Sequence, residues 1–218
     1  INESISVVYK LYVAENTGVR KWSELDAPRY NDFWSQNIAV NGLSVKEGKY
    51  KGENYRYVVL KKTVLYPQKS GKLTLEPLAL DVSVEVPSSR RDFFGRQVMT
   101  TTNRTVTAGK KIINVKPLPE QGKPKNFSGA VGSFNFNLGV SRSELMATEA
   151  FRLSLEVKGR GNLKLFKLPK PNLPAALEVY EPERLEKIDI SISGMLGSTA
   201  DNYTIVPDEA GRYPISPV

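Results

Sequence analysis

The chain contains no cysteine and no histidine in 218 residues. Without cysteine there is no disulfide and no thiolate metal site. Without histidine the commonest metal ligand and the commonest general base near neutral pH are both gone. Hydrolase triads and zinc sites are thereby disfavoured, and no catalytic residue, cofactor or metal ligand is assigned. No window approaches 18 consecutive apolar residues, which excludes a membrane-spanning helix. No signal peptide is visible. The chain starts at Ile1 without methionine and stops on Pro217-Val218, which reads as an ectodomain fragment.

What is present is alternation. Around Pro67-Gln68-Lys69-Ser70-Gly71 lie two runs of β-branched, aromatic and leucine residues, with Leu73 and Leu75, and then Leu80, Val82, Val84 and Val86, each set spaced in twos. Such a period, bounded by Pro and Gly, predicts strand, tight turn, strand. The pattern recurs. Pro67-x-x-x-Gly71-x-Leu73-x-Leu75-x-Pro77 is matched by Pro207-x-x-x-Gly211-x-Tyr213-x-Ile215-x-Pro217, 140 positions later (67 to 207). Two copies of one β-domain are expected, which suits the length, at roughly 100 residues per domain.

In order along the chain, 4–13 alternates Ile5, Val7, Tyr9, Leu11 and Val13 on one face and predicts a half-buried antiparallel strand. Its start near Ile1 implies an earlier edge strand outside the sequence. Residues 14–50 are the least regular, with a turn at 14–19, a break at Asp26-Ala27-Pro28 and a short helix allowed over 31–37. Trp22, Tyr30, Phe33 and Trp34 gather there, either as a docking surface or as a plug for one end of a sandwich. Residues 72–86 predict one central strand, 87–96 a hairpin loop, and 98–116 a returning strand interrupted at Ala108-Gly109. Arg90 and Arg91 beside Phe93 and Phe94 in that loop suit a protein contact. Alternatively, the two rings fold back onto their own sheet.

Three prolines in 117–124 predict a stiff linker. The domains are therefore 1–117 and 126–218, joined by a Pro-rich linker over 118–125. In the second, strands are expected over 133–141, 150–159, 176–180 and 186–193. Gly159-Arg160-Gly161-Asn162 predicts a turn; no helix can follow it, so a phosphate loop is excluded. If the copies are equivalent, the second domain is cut before its last strand, leaving an edge prone to pair with another chain. The net charge of +8 is spread along the chain, and no nucleic-acid motif accompanies it.

Trp34 after Phe33, the blocks over 64–75 and 115–119, Phe127-Ser128-Gly129-Ala130-Val131-Gly132 and Lys158-Gly159-Arg160-Gly161-Asn162-Leu163 together resemble the oxygen-tolerance protein family BatD, of the Bacteroides aerotolerance operon. The resemblance implies an all-β protein of two tandem immunoglobulin-like antiparallel β-sandwich domains, the second of which the repeat predicts to be truncated at its C-terminal strand. It also implies a periplasmic site, anchored in the cytoplasmic membrane by a segment absent here. The partners it implies are von Willebrand factor A domain membrane proteins, in a system with a MoxR-type ATPase and a role in stress survival. The expected function is a non-enzymatic protein-protein interaction scaffold, with Arg90, Arg91, Phe93, Phe94, Trp22 and Trp34 as candidate binding residues. The alternative is a carbohydrate-binding β-sandwich, for which Asp26/Asp32 and Glu181/Glu183 are the nominal carboxylate pairs.

Overall fold

The computed structural model describes residues 1–215, and Pro217 of the second turn motif lies outside the described residues. Fourteen strands and no helix are assigned among them. Backbone contacts divide the chain into two compact units, one of Ile1 with Ser6–Leu118 and one of Asn2–Ile5 with the chain from Pro119 onward.

The first unit carries β1 (Ile5–Val13), β2 (Gly18–Asp26), β3 (Phe33–Ile38), β4 (Lys46–Tyr50), β5 (Glu53–Pro67), β6 (Gly71–Leu75), β7 (Ala79–Arg91), β8 (Gln97–Thr107) and β9 (Lys111–Val115). One sheet runs β1-β5-β3, with β4 also on β5; a second runs β2-β7-β8; β6 and β9 form a third pair. The first two sheets face each other. Tyr9 of β1 and Leu60 of β5 pack on Trp22 of β2 and on Leu80, Val82 and Val84 of β7. Each fully buried aliphatic side chain there contributes about 1.5–3 kcal/mol. The end of β5 is covered on both faces, since Val64, Leu65 and Tyr66 are all buried.

The second unit carries β10 (Gly132–Val140), β11 (Phe151–Gly161), β12 (Leu177–Val179), β13 (Glu183–Ser191) and β14 (Gly194–Pro207). They form one antiparallel sheet, β10-β11-β14-β12, with β13 on the first part of β14. Phe151, Leu153, Leu155 and Val157 alternate as buried residues of β11, the period read from the sequence.

The two turn motifs sit in matching places. β5 ends at Pro67 and β14 at Pro207. A strand pairs with each of those ends, Phe33 opposite Pro67 and Leu177 opposite Pro207. Even single bonds repeat: the Gln68 amide donates to Asp32 O at 2.9 Å and the Asp208 amide to Ala176 O at 3.1 Å. After the prolines the copies part. The first continues into β6, which pairs with β9, whereas no strand is assigned over 208–215.

Several expectations are corrected. The predicted strand over 72–86 is two strands in different sheets, broken at Pro77, which has no N–H to donate. The predicted loop over 87–96 is shorter: β7 continues to Arg91, and only 92–96 turn. Pairing slips between Pro87 and Arg91, beyond the stretch that β2 covers, so Pro87 removes no bond from a two-sided ladder. The return over 98–116 is likewise split into β8 and β9, which belong to different sheets. Residues 14–50 hold β2, β3 and β4, and 31–37 contains no helix. There Phe33 enters β3, where burial beside β5 outweighs local helix propensity. Finally, Gly159-Arg160-Gly161 lies inside β11 and not in a turn. A Cβ on Gly159 would sit 2.1 Å from Ser133 O, so these glycines let β10 approach closely.

Candidate interaction surfaces

The tip joining β7 to β8 is built by Asp92. Its carboxylate accepts the amides of Phe94 at 2.9 Å and Arg96 at 2.8 Å, and its carbonyl accepts Gly95 N–H. Asp side chains commonly seed turns in this way. The Arg91 guanidinium donates to Gly95 O at 2.8 Å. On this scaffold Phe93 is 97% exposed and Phe94 78% exposed, their rings edge to face with centroids 5.6 Å apart. Arg96 lies over the Phe94 ring. The rings stand away from the sheet, so of the two sequence readings the folded-back one does not hold. Arg90 and Arg91 are exposed beside them.

Trp22 and Trp34 are placed differently. Both are half-buried: Trp22 packs on the core of the first unit, and Trp34 meets Tyr66 edge to face at 5.7 Å. Phe33 is buried, and Tyr30 donates its hydroxyl to that of Tyr9 at 3.3 Å. These aromatics spend their surface on packing. The hairpin tip and the two tryptophans are not one site.

A tyrosine cluster in the first unit has no local signature in the sequence. Tyr12 lies 5.2 Å from Tyr50, 6.3 Å from Tyr55 and 5.3 Å from Tyr57, with Lys10 over the Tyr57 ring. Residues so far apart in sequence meet because β4 folds back along the start of β5. Only the pairing reveals it. Gly48 belongs to the same design, since a Cβ there would come within 2.8 Å of the Tyr57 ring.

Among the described residues, no cluster of metal-ligating side chains accompanies these surfaces. Asp32 is tied to Lys69 at 2.9 Å, while Asp26, Glu181 and Glu183 are exposed. Among the described residues no group of three or more carboxylates could hold a metal ion.

Residues 138–218 match the family described as the BatD DUF11-like domain. That stretch of the chain resembles a BatD-type domain. The BatD match takes in all of β11 to β14 and the last residues of β10. Of the blocks that carried the resemblance, Lys158-Gly159-Arg160-Gly161-Asn162-Leu163 lies within it, in β11 and the turn that follows. The 64–75 and 127–132 blocks lie before it. No curated protein and no solved structure matches the chain.

Proposed function

We propose that this chain is the protein-binding ectodomain of a membrane-anchored BatD-type protein on the periplasmic side of a bacterial cytoplasmic membrane. It acts without catalysis of its own, as a scaffold of two immunoglobulin-like modules, 1–117 and 126–218, joined by the Pro-rich segment 118–125. Its partners are von Willebrand factor A domain membrane proteins, in an envelope assembly served by a MoxR-type ATPase and needed for survival under oxygen or other stress. The family match supports the BatD-type reading. The observation that carries the binding role is the hairpin tip, where a bonded turn holds two phenyl rings in water. Exposed aromatic anchors flanked by arginine are the usual source of interface affinity.

The test is capture of membrane proteins by the full-length, membrane-anchored protein, with and without the paired changes Phe93→Asp and Phe94→Asp. The rings touch little else, so stability should change by no more than about 0.5 kcal/mol. Capture of von Willebrand factor A domain proteins should fall at least tenfold. Unchanged capture by a folded double variant would remove the hairpin tip from the interface.

A further inference from the structure

The first unit contains a cavity of about 520 Å³, set among β1, β2, β5 and the segment leading into β4. Its walls are chiefly apolar: Leu11 and Val13 from β1, Trp22 from β2, and Val58 from β5. Leu43 and Val45, 52% and 64% exposed, complete the lining from the solvent side. The size falls in the range of small-molecule sites, about 300–1,000 Å³. Water gains little in such a place, having few polar partners.

Two arginines, Arg20 and Arg56, interrupt the wall. Arg56 is fastened through Nη2, which donates to the carbonyls of Glu15 at 3.1 Å and Thr17 at 2.9 Å. Its Nε is buried and has no hydrogen-bond partner. A buried N–H left without an acceptor is costly unless something supplies one. The other cation of the lining, Arg20, is already bonded to Glu85. Arg56 has no paired carboxylate among the described residues. The cavity thus offers an apolar volume edged by a fixed guanidinium that has no carboxylate partner among the described residues.

We propose that this cavity binds a carboxylate-bearing apolar chain, with the carboxylate on Arg56 and the hydrocarbon among Leu11, Val13, Trp22 and Val58. The guanidinium fork matches a carboxylate in geometry and charge. An uncharged chain of equal length leaves the guanidinium without a counter-charge and binds more weakly. No bond is made or broken; the site is for binding alone.

Trp22 lines the cavity and reports its occupancy. In the whole chain carrying Trp34→Phe, titration with octanoate, decanoate and dodecanoate below their micelle concentrations should change Trp22 emission saturably. Affinity should rise about fourfold per added methylene until the cavity is full. Dodecanol should bind at least about tenfold more weakly than dodecanoate, since a charge-assisted hydrogen bond is lost. Val45→Asp, a change at an exposed position, should weaken dodecanoate while leaving the fold intact. Arg56→Met should abolish the preference for acid over alcohol; the alcohol comparison stands even if that variant fails to fold. Absence of a saturable change, equal binding of acid and alcohol, or undiminished binding by a folded Val45→Asp variant would each overturn the proposal.

Discussion

The side-chain oxygen of Asn162 accepts the backbone N–H of Val131 at 2.7 Å, while its amide nitrogen donates to Gly129 O at 2.8 Å. The asparagine is fully buried where β11 ends, and it pins the segment that leads into β10. A side chain with both a donor and an acceptor can satisfy two backbone groups at once. Asn162→Ala strands both of them. Because an unsatisfied buried polar group costs about 1–3 kcal/mol, the urea midpoint of the second unit should fall by the equivalent of about 2–3 kcal/mol. Asn162→Asp should restore the acceptor towards Val131 but not the donor to Gly129, and so recover only part. A loss below about 0.5 kcal/mol for the alanine variant would show that the clamp is dispensable.

The close approach of β10 to β11 makes a second prediction. A methyl group at Gly159 would meet Ser133 O at 2.1 Å, whereas one at Gly139, in β10 itself, meets nothing within 4 Å. Overpacking of this kind costs about 1–3 kcal/mol. Thermal unfolding should therefore separate Gly159→Ala, clearly destabilised, from Gly139→Ala, close to neutral. Equal effects of the two changes would mean that the strands can move apart freely.

Alkaline pH should weaken the first unit. Burial, and then the hydrogen bond shared with Tyr30, push the Tyr9 hydroxyl well above the ordinary phenol value. The folded state therefore holds that proton more tightly than the unfolded chain. Its contribution is complete below about pH 10, the unfolded tyrosine value, and is lost as pH rises from there towards the folded value. Stability measured in urea should fall above about pH 10, by up to about 1.4 kcal/mol per pH unit for this one group. Tyr9→Phe should flatten that decline. Tyr203 is shifted in the same direction, chiefly by burial and then by Asp201 and Glu181, so the second unit should show a parallel loss. A Tyr9→Phe variant as alkali-sensitive as the parent would refute the assignment for the first unit.

Much of the strand content was readable from alternation. The period of two in β1 and β11 appears in the burial of Tyr9, Leu153 and Leu155. The break inside 72–86 was also written in the sequence, although the single-strand expectation passed over it. Leu73 and Leu75 are odd-numbered, while Leu80, Val82 and Val84 are even-numbered, so one unbroken strand would send the two sets to opposite faces. Separating β6 from β7 lets both sets be buried. By contrast, β14 was hard to see. Gly-Met-Leu-Gly-Ser-Thr-Ala-Asp-Asn carries few strand formers, yet it fills the middle of a sheet. Its neighbours on both edges supply the bonds, and Asp201 is buried with Arg184 3.8 Å away. Tertiary pairing overrode local preference there.

Composition and period alone determined that this is a β protein with neither thiol nor imidazole chemistry, and they located Phe93 and Phe94 near a hairpin turn without deciding their exposure. Those are properties of residue types and near neighbours, and they do not depend on which strands meet. Tertiary structure decided the rest: that β6 joins β9 and not β5, that four tyrosines gather where β4 folds onto β5, and that Arg56 lines an apolar cavity. Those facts follow from pairings between segments far apart in the chain, chosen by the burial of whole faces, and no local window of sequence contains that information.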